Sequence, residues 1–225
     1  MAEDLSYEEW IAYCFDREVA EPQWYWAIGK EGEGDWYQPA PSVLVRYLHH
    51  LFTHSNELLP VYTEEQIAQG LYFICSSGSS YFQLVRQAGV PGADQVKWVQ
   101  SICNLYRDVF VKCCSHFYGH LDSGPEPAKS LNGLCYMFWD LDGIEGAAMF
   151  PGEEHLVDPV FEVLACALSQ PNPACAESAL HGLGHLEFAH SERVRGIIDD
   201  FLSSDGQITS ELEKYAKNAL CGCVQ

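Results

Sequence analysis

Shifted by 37 residues, the last third of the chain falls on itself. Val157, Val160, Phe161 and Leu164 coincide with Val194, Ile197, Ile198 and Phe201, while Ala179, Gly182 and Leu183 coincide with Ala216, Ala219 and Leu220. Each set has the i, i+3, i+4 spacing of one helix face. A unit of two amphipathic helices cannot bury its second face alone, so units repeated at this length have to stack on one another. A further helix, Leu131 to Leu141, places Gly133-Leu134 where the next copy has Gly182-Leu183, and the loop from Gly143 to Gly152 absorbs the longer interval.

The same period runs through the first half. Ser6 and Glu9 have the spacing of a capping box, and Trp10, Ile11, Cys14 and Phe15 follow as one apolar face. Leu44, Tyr47, Leu48, Leu51 and Phe52 make a second amphipathic helix. Thr63 and Gln66 supply another capping box for a helix carrying Ile67, Ala68, Leu71, Ile74 and Cys75, which the Ser/Gly cluster from Ser76 to Ser80 ends. From Gln95 to His116 a stripe of Trp98, Val99, Ile102, Leu105, Tyr106, Val109, Phe110 and Cys113 predicts a central spine. Strands are expected to be nearly absent. Asp122-Ser123-Gly124-Pro125 with Pro127 marks a boundary. It divides the chain into an N-terminal helical region 1–122, a linker 123–130 and a helical-repeat region 131–225, unless the whole forms one continuous compact domain.

The stretch Glu177-Ser178-Ala179-Leu180-His181-Gly182-Leu183-Gly184 resembles the small-residue first helix of a HEAT repeat. The resemblance spans roughly residues 131–225, without the Asp-Pro turn and basic residue common between HEAT helices. It implies an all-α fold, a HEAT-like α-solenoid or superhelical bundle with the N-terminal region packed on it, and a scaffold or protein-binding role.

Charge excludes some partners. Thirty-two acidic residues against twelve basic ones give a formal net charge of −20. Nucleic-acid binding needs Lys and Arg to displace counterions, and no basic stripe exists here. Anionic membrane surfaces are disfavoured for the same reason. The attracted partner is a basic protein. No apolar run is long enough for a membrane span, and Met1-Ala2-Glu3-Asp4 opens without the positive charge of a secretory signal, so a cytoplasmic protein is expected. Ten cysteines sit in apolar helical patterns without a Cys-x-x-Cys pair, which predicts ten free thiols and no structural zinc site.

Three histidine pairs have helical spacing: His50 with His54, His116 with His120, and His181 with His185. Glu177, His181 and His185 share one stripe, so a two-histidine, one-carboxylate site can be drawn. Packing is the preferred reading, because nine histidines on many helices generate such pairs by chance and the glutamate of His-Glu-x-x-His is missing. No metal and no cofactor are therefore assigned. Gly-x-Ser-x-Gly is absent, the run Gly29 to Asp35 is too acidic to cradle phosphate, and Asp140-Leu141-Asp142-Gly143 lacks EF-hand spacing. No catalytic residue is assigned.

Trp24, Trp26, Trp36 and Tyr37 crowd a connection otherwise made of Gly, Pro, Glu and Lys. They either anchor a partner or fold back to seal the end of the helical stack. The functional expectation is an acidic helical-repeat binding module, in the manner of a bacterial immunity protein or antitoxin that occludes a basic toxin. The alternative is a metal-dependent helical enzyme using His and Glu on the repeat helices.

Overall fold

The computed structural model describes residues 5–26, 36–121, 130–141, 144–204 and 208–224. The acidic glycine run at 29–35 and most of the boundary at 122–130 lie outside them. Among the described residues every regular element is helical and none is a strand. No helix there is long and apolar enough to cross a membrane.

The first half builds inward from two capped helices. In α1 (Tyr7–Phe15) Ser6 Oγ accepts from Glu9 N at 3.2 Å and Glu9 Oε2 accepts from Ser6 N at 2.8 Å. The same reciprocal pair, Thr63 with Gln66, starts α3 (Glu64–Cys75). Each box satisfies two amides that a helix start leaves without partners. Between them α2 (Pro41–Thr53) opens with Pro41, whose fixed φ suits the first turn. Its buried face is Leu44, Val45, Leu48, Leu51 and Phe52. Helix α3 is buried over more than one face, including Gln69 and Gly70, because α1 packs on one side and a later helix on another.

After the short α4 (Tyr81–Val85), the expected spine is present. It runs as α5 (Gly92–Leu105), a π-helical turn at Tyr106–Phe110 and a last α turn, α6 (Val111–Cys113). It ends at Cys113 rather than His116, so His116 and His120 are not on a helix. The next helix, α7 (Ser130–Met137), is shorter than the run to Leu141 suggests; Phe138 to Asp140 form a turn that Asp140 N closes onto Met137 O at 2.9 Å. This α7 is the second neighbour of α3.

The rest is α8 (Val157–Leu168), α9 (Pro173–Ser203) and α10 (Ser210–Ala219). Helix α9 packs against α7, α8 and α10, and α8 packs on α5. It is interrupted at His190, whose φ of −138° and ψ of 41° are not helical and whose Nε2 donates to Ala148 O at 2.6 Å. Gly182 explains the closeness of this region: a Cβ there would lie 2.7 Å from the Trp139 ring and 2.8 Å from Leu164. One continuous apolar core joins the two halves.

The expectation of ten free thiols is corrected. Cys103 on α5 and Cys166 on α8 are joined as a disulfide, with Cα atoms 6.0 Å apart. Each cysteine reads as part of its own helix stripe, and only the α5–α8 contact brings the two together. The other eight lie outside this disulfide: six are buried, and Cys221 and Cys223 are exposed.

Candidate functional site

The aromatic residues of the N-terminal connection divide. Trp24, Trp36 and Tyr37 are half-buried, and the two indoles meet edge to face at 5.3 Å above Phe73. Tyr37 closes the cluster by hydrogen bonds: its hydroxyl accepts from Leu5 N at 2.9 Å and its carbonyl accepts from the Tyr81 hydroxyl. Arg17 lies over the Tyr13 and Trp24 rings. Trp26 remains half exposed, touching Tyr25.

The histidine pairs also separate. His50 and His54 stack at 4.3 Å at the exposed end of α2. His116 and His120 lie in irregular chain. Only His181 and His185, one turn apart on α9, converge on a common point, and the carboxylate that meets them is Asp140. His181 Nε2 lies 2.9 Å from Asp140 Oδ2, His185 Nε2 lies 2.8 Å from Asp140 Oδ1, and the two Nε2 atoms are 3.0 Å apart. Behind them His181 Nδ1 is 2.7 Å from the Tyr215 hydroxyl of α10, which in turn bonds Tyr136 of α7. Burial pushes the His181 ring below the usual imidazole range, while Asp140 pulls it back in part. Both tyrosine hydroxyls are pushed up, chiefly by burial.

Glu177, the carboxylate that the helix stripe offers, is elsewhere. Its oxygens accept from the backbone amides of Gly119, His120 at 3.1 Å and Leu121 at 2.9 Å. Burial pushes its carboxyl above the usual range and the three amides pull against that. Two neighbours do comparable work. Asn132, fully buried, accepts from Ser115 N at 2.9 Å and donates to the carbonyls of Ser115 and Phe117 at 3.1 and 2.7 Å. Asn172 caps α9 through Ala174 N and donates to Cys114 O at 3.0 Å. Together these side chains fix the irregular segment 114–121, and with it His120, whose ring stacks on Tyr136 at 5.0 Å.

A second feature lies on the other flank of α9. Leu168, Ile197, Phe201 and Leu212, with Phe117 and Tyr118 from the fixed segment, line an open groove of about 1160 Å³. Asp200 and Glu211 stand among them. Ile197 and Phe201 are half-buried, whereas their counterparts 37 residues earlier, Val160 and Leu164, are fully buried.

Fold and sites together define an all-helical protein with a half-buried histidine–carboxylate cluster on one side of its longest helix and an acid-flanked apolar groove on the other. Comparison with protein-family models, curated proteins and solved structures returns no match.

Proposed function

We propose that this chain is an acidic helical-repeat module, HEAT-like in its last two helix pairs, that binds a basic protein partner through the groove beside α9. The observation that carries the reading is the groove itself. A helix pair in a stack covers one face with the pair before it and needs a successor for the other. Val160 and Leu164 have that cover; Ile197 and Phe201, at the same register in the last pair, do not. The interruption at His190 supports this register, since it divides α9 between the two pairs. The fitting occupant is an apolar segment flanked by Lys or Arg, drawn by Asp200, Glu211 and a formal net charge of −20. Neutralisation of a basic toxin, as immunity proteins and antitoxins perform it, is one role that such binding serves.

Affinity capture from the source cells tests this with three baits: the parent chain, Phe201→Arg and Trp26→Ala. A basic protein should be held by the parent, released by Phe201→Arg, and weakened as ionic strength rises to physiological, where the Debye length is about 8 Å. Loss with Trp26→Ala instead would move the contact to the aromatic end. Retention by all three baits, or only acidic partners, would sink the reading.

A further inference from the structure

We propose that Asp140, His181 and His185 bind one divalent first-row transition-metal ion of the zinc class, in a three-ligand site with coordination positions open to solvent. This goes beyond partner binding and uses the opposite side of α9 from the groove. The donor set is two imidazole nitrogens and one carboxylate, a combination suited to Zn²⁺, Co²⁺ or Fe²⁺ rather than to Ca²⁺ or Mg²⁺. The spacing agrees. With metal–ligand bonds of about 2.1 Å, adjacent ligand atoms lie roughly 3.0 Å apart at right angles and about 3.4 Å apart in a tetrahedron. The two Nε2 atoms are 3.0 Å apart and each lies 2.8–2.9 Å from a different oxygen of Asp140, so the two imidazoles and the carboxylate close round one point where an ion would meet both nitrogens and either oxygen.

The surroundings are those a metal site needs. The helical i, i+4 spacing aims both Nε2 atoms at one point without rearrangement. Tyr215 holds the far nitrogen of His181, the outer partner that fixes the ring of a ligating histidine. Tyr215 is thus a positioning residue. The His181 side chain is 4% exposed, but those of Asp140 and His185 are 29% and 34% exposed, so an ion can enter and keep water on its outer side. Asp140 also borders a second cleft of about 570 Å³, lined by Gln83, Arg86, Gln87 and Glu153, from which a small polar ligand could reach the open positions.

Without an ion the same atoms form a fork, each Nε2–H donating to one oxygen of Asp140. The two states differ by chemistry that can be read, because an ion takes the Nε2 lone pairs and each neutral ring then carries its proton on Nδ1. Metal-stripped full-length protein is titrated with Zn²⁺ by calorimetry and with Co²⁺ by visible absorption. One equivalent should bind, with a cobalt d–d spectrum. His185→Ala and Asp140→Asn should each weaken binding by about 100-fold or more, and Tyr215→Phe by about 10-fold. Asp140→Asn keeps the shape of the side chain, so it decides the matter if His185→Ala fails to fold. The exposed thiols of Cys221 and Cys223 could also take zinc, and a Cys221→Ser, Cys223→Ser variant should retain the site. The proposal is overturned if binding survives His185→Ala and Asp140→Asn, if it disappears with the two serines, or if no stoichiometric binding is seen; the trio is then a hydrogen-bonded fork only.

Discussion

The two halves of the molecule solve the packing problem with different materials. Around α1 and α3 the interior is made of interlocked rings: Phe73 meets Tyr13, Trp24, Tyr25, Trp36 and Tyr81. In the second half α9 brings small residues, Ala174, Ala176, Ala179, Gly182 and Gly184, against larger ones such as Trp139 and Leu164, and polar groups there are tied down individually: Asn132, Asn172, Glu177, Ser178 and His181 are all buried. An aromatic cluster gains its stability from area removed from water and is tolerant of exact geometry. A buried polar group is tolerated only where its partners are in place. The difference teaches where chemistry can be housed, since in the second half a buried carboxylate, Glu177, and a buried histidine, His181, are held by partners at fixed distances.

Substitutions can break this contrast. The largest effect is expected for Phe73→Ala, which empties the centre of the ring cluster and should cost about 3–5 kcal/mol in denaturant unfolding. Glu177→Ala removes little area but strips the amides of Gly119, His120 and Leu121 of their acceptor; a loss of about 3 kcal/mol is expected. If that loss were negligible, the account of the second half as polar-latched would fail. Next, two glycines of the same helix sharpen the role of small residues. Gly182→Ala presses on Trp139 and Leu164 and should destabilise by about 1–3 kcal/mol. Gly196→Ala meets nothing within 4 Å and should stabilise by roughly 0.5–1 kcal/mol through helix propensity. The smallest effect belongs to Trp26→Ala, about 0.5 kcal/mol or less, because this ring is half exposed at the margin of the cluster. Thermal or denaturant melts of the five variants give the order directly.

Much of the first half was legible in sequence because its signals are local. The Ser6–Glu9 and Thr63–Gln66 boxes lie within four residues, and the stripes of α2 and α5 need only helical periodicity. The second half shows the limits of such reading. Periodicity put Glu177 beside His181 and His185, and a helix stripe is indeed where a carboxylate at i−4 belongs. What it does not contain is the segment 119–121, whose amides claim Glu177, or the turn after α7, which delivers Asp140 from 41 residues away. Asp140 carried one signal of its own, an Asp-Leu-Asp-Gly run after a predicted helix, but that run fits no calcium loop and points to no histidine. The same limit applies to Cys103 and Cys166, 63 residues apart and joined only once α5 lies on α8.

The latched segment 114–121 has a consequence for motion. It contains no regular structure, so its amides would ordinarily exchange with solvent on the timescale of loop fluctuation. Here Ser115, Gly119, His120 and Leu121 donate to side chains anchored on α7 and α9. Their hydrogens can leave only when those helices part. In deuterium-exchange measurements this irregular stretch should therefore behave as part of the slowest-opening unit of the molecule, and its protection should fall selectively in Glu177→Ala while the α1–α3 amides keep theirs.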